Sequence, residues 1–197
     1  MQPFVLPDDT LSRMEESPAF AVPEFDLLAR PIGLGDAQDW FEFAALPEVR
    51  QHTSLVIDRM SDLEAAIGRT LVHDLGAPVY FALRHEHSSE LVAIIGFHSR
   101  SVAHRNAEIN YEVRPSCWGR GVATAVCRDA VQWGFEKLGL VRVQATTLEE
   151  NLASQRVLEK VGFEREGTLR NFRLVRGKPR DYLVFSCVPG SSSRIDA

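Results

Sequence analysis

A chain of 197 residues, 45% hydrophobic and 25% charged, is long enough for one domain with a real core and has the composition of an ordinary soluble globular protein. The net charge of -5 argues against nonspecific nucleic-acid binding and suits a basic partner, such as an amine or a cationic protein end. No apolar run approaches the ~20 residues that span a bilayer, and no basic segment followed by an apolar stretch opens the chain, so neither a membrane span nor a signal peptide is expected. Cys117, Cys127 and Cys187 are odd in number and scattered, which fits a reduced, cytoplasmic protein without a disulfide framework.

Residues 1–24 carry Pro3, Pro7, Pro18 and Pro23 with little periodicity and are expected to form an extended arm. Phe25 to Ile32 predicts a strand, and Asp36 an N-cap for a helix through Ala45. Ser61 and Glu64 have capping-box spacing at the start of a second helix. Val79–Leu83 and Leu91–Phe97 are β-rich and joined by the polar link Arg84–Glu90, a hairpin pattern. Asn106–Val113 alternates, with Ala107, Ile109, Tyr111 and Val113 on one face and Glu108 on the other. An amphipathic helix pattern runs from about Val122 to Leu138, with Arg128, Asp129, Gln132 and Glu136 on its polar side and Trp133 and Phe135 as packing residues. Val141–Thr147 is a further strand, Leu152–Val161 a helix stopped by Gly162, and Phe163–Leu169 and Tyr182–Val188 close the pattern. The strand-helix-strand unit within a mixed order makes the class α/β or α+β, with residues 25–188 as one domain and 189–197 as a flexible tail.

The segment Trp118-Gly119-Arg120-Gly121-Val122-Ala123-Thr124 joins the central strand to the long helix. A strand, a glycine turn and a helix start make an anion site, because the first helical N–H groups lack intrahelical partners and the dipole is positive there. Glycines at 119 and 121 let a diphosphate-bearing ligand approach the backbone. A dinucleotide fingerprint would need glycine or alanine where Thr124 stands, and a P-loop would need Gly-Lys-Ser/Thr at the end of the turn. On the turn alone, a ligand-free tight turn remains an equal reading.

Residues 106–187 resemble the GNAT superfamily of acetyl-CoA-dependent N-acetyltransferases, and most closely its Rim-type branch, which acetylates ribosomal-protein N-termini. Four stretches carry the resemblance: Ala107-Glu108-Ile109-Asn110-Tyr111, the Trp118–Thr124 loop, Asn151-x-x-Ser154-x-x-Val157-Leu158-Glu159-Lys160-Val161-Gly162-Phe163, and Gly167-x-Leu169-Arg170 with Gly177 and Asp181. Trp118 stands where the superfamily often has glutamine or arginine, and Ala125 where the branch often has glutamate.

The resemblance implies a GNAT fold, with a mixed, mostly antiparallel sheet of about 6–7 strands flanked by helices. It implies direct acetyl transfer from acetyl-CoA to an amine, with no metal. The N–H groups of Arg120, Gly121, Val122 and Ala123 would hold pyrophosphate, with Gly119 shaping the turn, Trp118 and Thr124 completing the cofactor-binding loop, and the Arg120 side chain either reaching a phosphate or solvated at the surface. Val113 and Arg114 would offer backbone groups to the pantetheine arm where the central strand splays from the next. Asn151 and Ser154 would contact the cofactor, Ser154 with a second role as proton donor to the thiolate; Asn151 is equally an N-cap. Glu108 is the candidate general base, or a structural carboxylate; Tyr111 bonds near the acetyl group, or packs in the core. The acceptor is a protein N-terminus or a small amine such as a polyamine, amino acid or amino sugar, bound by a monomer or homodimer. A non-catalytic acyl-CoA sensor is the reading from outside enzymes.

Asp181 is expected to pair with Arg170. His85-Glu86-His87 has a metal-like look but reads as a polar hairpin loop, and Cys117 as a bystander to the glycine turn.

Overall fold

The computed structural model describes residues 19–53, 57–71 and 76–190. Residues 1–18 of the expected arm and 191–197 of the expected tail lie outside them.

Among the described residues eight strands form one sheet: β1 Phe20–Val22, β2 Leu27–Pro31, β3 Val79–His85, β4 Leu91–Ser101, β5 Asn106–Val113, β6 Arg142–Leu148, β7 Glu164–Val175 and β8 Lys178–Cys187. Their order is β1-β2-β3-β4-β5-β6-β8-β7, antiparallel throughout except for β5 against β6. That one parallel pair follows from the helix between them, because a parallel return needs a crossover. Among the described residues the α-helices are α1 Ala37–Ala44, α2 Pro47–Arg50, α3 Met60–Gly68, α4 Val122–Lys137 and α5 Leu152–Val161.

The alternation in β5 separates two cores. Ala107, Ile109 and Val113 face α4 and α5, where Phe81, Phe97 and Trp133 form an aromatic centre with ring centroids 4.8 Å and 6.2 Å from Trp133. Gly134 lets α4 lie close on β4, since a Cβ there would stand 2.8 Å from the Phe97 ring. On the other face, Trp40, Phe43, Leu63 and Ile67 of α1 and α3 pack on Ala82, Leu91 and Ile94.

Five expectations change. The sheet begins inside the segment read as an arm: Phe20 stacks edge-on against Phe81 and Val22 is fully buried, and this edge strand raises the strand count to eight. Strands this short carry too little alternation to be read. Asp36 sits before α1 but turns its carboxylate back to the Gly33 N–H and to Arg84 rather than capping the helix. The start of α3 is held by Asp62, which accepts from the Asp58 and Arg59 N–H groups, so Ser61 and Glu64 do not form the box. Asp181 accepts from the Asn171 N–H at 2.8 Å and pairs with the backbone instead of with Arg170. β7 and β8 also run further than expected, to a two-residue turn at Arg176-Gly177 where both φ angles are positive.

Candidate active site

β5 and β6 are partners only through Asn106↔Arg142, Ala107↔Val143 and Glu108↔Gln144. Beyond Glu108 they part, while β6 stays on β8 to Leu148 and β5 stays on β4 to Val113. The Arg114 N–H bonds to Val92 O on the β4 side. By antiparallel alternation, the backbone groups of Tyr111 and Val113 therefore face the gap that β6 has left. The Val113 carbonyl is taken by the Trp118 indole N–H at 2.7 Å, which braces the loop on the end of the strand.

The chain then passes through Gly119 (φ +72°) and Gly121 (φ +89°) into α4. Both angles lie in the left-handed region that disfavours side chains, which is why glycine stands at these two positions. The Thr124 and Ala125 N–H groups bond to Gly121 O. Among the described residues, the N–H groups of Arg120, Gly121, Val122 and Ala123 have no acceptor. Phe25 lies under the loop, 3.7 Å from where a Gly121 Cβ would be, and Arg128 of α4 reaches Glu24 at 3.3 Å, so the first described segment supports the turn from below.

On the far side of the gap, the Asn151 side chain accepts from the Ser154 N–H at 3.1 Å and caps α5. The Tyr111 hydroxyl donates to the Ser154 carbonyl at 3.4 Å, tying the splayed part of β5 to α5. Burial, with Cys127 beside it, pushes the Tyr111 phenol well above its ordinary range, which keeps it neutral.

A family model described as an acetyltransferase (GNAT) domain matches residues 26–164. The chain is also 34% identical over 174 residues to an uncharacterized N-acetyltransferase, YoaA, of Bacillus subtilis, covering 86% of this chain and 97% of that protein. The chain belongs to the GNAT acetyltransferase family. Among solved structures, Mycobacterium smegmatis RimJ in complex with CoA-disulfide superposes with a TM-score of 0.73 at 25% identity, over 83% of this chain and 82% of its own. That similarity supports the Rim-type branch. Spermidine N-acetyltransferase from Vibrio cholerae, in complex with CoA and spermine, gives a TM-score of 0.75 over 86% of this chain and 99% of its own; at 19% identity this shows the shared fold.

Within this GNAT domain the α1–α3 face carries the polar residues. The Oε1 oxygen of Glu108 accepts from the Thr146 hydroxyl at 2.6 Å and from Arg173 at 2.9 Å, and the side chain is buried. Glu112, two places along the same face, accepts from the Trp40 indole at 2.8 Å, and burial raises its carboxyl above the usual range. Arg114 turns to this face too: it donates to Leu91 O, pairs with Glu42 and Glu90, and lies over the Phe43 ring, so its guanidinium is directed to α1 and away from the glycine loop.

Between them, Tyr80 of β3 crosses Gly96 of β4 to donate to Asn110 of β5 at 2.7 Å. A Cβ on Gly96 would run into that ring and the Val79 carbonyl, so this glycine is what allows the crossing. Tyr80, Asn110, Trp40 and His98 line a cleft of about 220 Å³ against α3. His98, Tyr80, Thr146 and Arg173 were not singled out in the sequence. Strand alternation beside Glu108 could have found Asn110; nothing local marks Arg173, which reaches Glu108 across 65 positions.

Proposed function

We propose that the protein moves the acetyl group of acetyl-CoA directly to a primary amine, with a protein N-terminus as the first acceptor class. The observation that carries this reading is the coincidence of two features at one end of the sheet: the β5–β6 opening after Glu108↔Gln144, and the row of unpartnered N–H groups at Arg120–Ala123. In this reading the loop N–H groups and the α4 dipole hold the pyrophosphate. Trp118, Gly119 and Thr124 keep the loop in shape, and the exposed Arg120 side chain adds positive charge at its rim. The N–H groups of Tyr111 and Val113 bond the pantetheine arm and donate toward the carbonyl oxygen as negative charge develops there. Asn151 fixes the start of α5 and places Ser154 beside the arm, near the sulfur.

Glu108, with Thr146 and Arg173 both bonded to one oxygen, acts in this account through position rather than as an unencumbered base. The acceptor enters from the cleft on the α1–α3 face, opposite the α4 side. Much of the barrier is removed by holding the two reactants in line, an effect worth roughly 7–11 kcal/mol in well-oriented systems. Small amines are the second reading, favoured by the size of the cleft and by the 31% identity over 78 residues to spermidine N(1)-acetyltransferase of Escherichia coli. Free-thiol release from acetyl-CoA in the presence of alanine-initiated peptides and, separately, spermidine, amino acids and amino sugars tests both; the reading predicts release with at least one class, and release with none overturns it.

A further inference from the structure

The acceptor arrives as an ammonium ion and must lose a proton before it attacks. The cleft on the α1–α3 face is lined by Trp40, Ile67, Arg69, Tyr80, His98 and Asn110, among others. Only three of these described lining side chains titrate. Arg69 carries a guanidinium, which has donors only and no acceptor. Burial raises the Tyr80 phenol to about 12, and its proton is already donated to Asn110, so it is neutral and a poor proton acceptor near neutrality.

His98 differs in chemistry and in place. It stands directly across β4–β5 from Glu108, the residue at which β5 and β6 part. Its side chain is 23% exposed, so one edge meets the cleft while its Nε2 lies 4.0 Å from the Glu108 carboxylate and its Nδ1 3.0 Å from the Ser99 hydroxyl. A ring so placed touches the cleft, the point of strand splaying and a buried carboxylate at once.

We propose that His98 is the catalytic base that takes the proton from the acceptor ammonium, with Glu108 as the positioning residue that stabilises the imidazolium. This rests on the acetyl-transfer reading above. His98 takes one proton from R–NH3+. The amine lone pair then forms the N–C bond to the thioester carbonyl, the C–S bond breaks, and its electron pair leaves on the thiolate. The acylated nitrogen then gives up its second proton, which neutralises the departing thiolate, leaving a neutral amide and a free thiol, and His98 returns the first proton to solvent for the next turnover.

The surrounding groups suit the task. Burial holds the His98 imidazole below its ordinary range; the Glu108 carboxylate of β5 draws it back up and the Arg173 guanidinium of β7 pushes it down. The ring is therefore neutral, and ready to accept a proton, at neutral pH. Arg173 bonds the same Glu108 oxygen, which keeps that carboxylate in place as the ring becomes charged. Tyr80 and Asn110, beside His98 on the same sheet, are bonded to each other.

The test is the pH profile of kcat/KM for wild type and His98→Gln, followed by thiol release with an alanine-initiated peptide and with spermidine. Wild type should show an ascending limb below about pH 6.5, the ordinary histidine value. That limb should stay in place when the acceptor is changed for a less basic amine. His98→Gln should lose the limb and about 10²-fold or more in rate, as for removal of a general base. Its affinity for acetyl-CoA and its melting temperature should be unchanged, and added imidazole should restore part of the rate to His98→Ala. A His98→Gln enzyme with wild-type rate and profile overturns the assignment and leaves acetyl transfer standing. Release by wild type with no amine overturns the transfer reading itself, and His98 with it.

Discussion

Gly121 sits at the point where backbone conformation and the charge of the proposed ligand make the same demand. Its φ of +89° strains any side chain, and its N–H is one of the four that face outward at the start of α4. Gly121→Glu adds both bulk and a negative charge beside the proposed pyrophosphate. It should abolish acetyl-CoA binding by calorimetry, while Gly121→Ala, which carries the same backbone strain of roughly 1–2 kcal/mol without charge, should retain measurable affinity. The added Cβ meets only Phe25 at ordinary contact distance, so both variants should fold. Equal affinities for the two would refute the placement. Gly96 is the opposite kind of position. Gly96→Ala pushes into the Tyr80 ring and should cost about 1–3 kcal/mol in a denaturant melt, with a reduced acceptor kcat/KM, because the Tyr80–Asn110 bond that walls the cleft is displaced. Only the first of these glycines was legible in the sequence. A glycine in a turn before a helix announces its φ, whereas Gly96, mid-strand, has meaning only through a ring on the neighbouring strand.

At the level of elements, the geometry of the β5–β6 parting is fixed by ties from β5 to its neighbours. Tyr111 binds β5 to α5, and Glu108 binds β5 to β6 through Thr146 and to β7 through Arg173. A further tie joins β6, β7 and β8: Arg142 grips both oxygens of Glu166 at 2.7 and 2.6 Å, and Ser186 donates to the same carboxylate at 2.6 Å. These bonds lower the Glu166 carboxyl to about 2, the Arg142 guanidinium foremost. Because the folded value is depressed, the stabilisation is present above the ordinary carboxylate pKa of about 4.3 and is lost as pH falls through the folded value. Thermal melts should therefore show wild type losing more stability than Glu166→Gln between about pH 4.3 and 2; parallel curves would remove the tie from the account. Glu166 is partly exposed, so solvent screening keeps the difference small. Arg173→Ala leaves Glu108 buried with the Thr146 hydroxyl and the more distant His98, and should destabilise the domain by about 3 kcal/mol in chemical unfolding.

The helix and strand order was readable because α4, α5, β5 and β6 keep their periodicity over whole turns and pleats. The ends were less so. The β-rich apolar run stops at Phe97, yet β4 continues to Ser101, because its polar continuation lines a cleft and a sheet end rather than the core. His98 lies in that continuation, and the polar pattern that ended the prediction is the one that brings it to the cleft.

Taken as a whole, the molecule, in the proposed reading, divides acetyl transfer between the two faces of one sheet. The donor side was legible: its loop, its helix and the cap at Asn151 are local, and local geometry is written in short motifs. The acceptor side was not, because Trp40, Tyr80, His98, Asn110 and Arg173 come from five separate elements and meet only after the sheet has formed. If the donor half is built as described, acetyl-CoA at 100 times its Kd should stabilise the native state by about 2.7 kcal/mol and raise the melting temperature, and Gly121→Glu should show no such rise. The central claim, acetyl transfer to a primary amine, is met most directly by incubating the protein with acetyl-CoA and an alanine-initiated peptide or spermidine, then recording free thiol and acceptor mass together. The account predicts thiol release matched one for one by acetylated amine; thiol release without acetylated product, or neither, would contradict it.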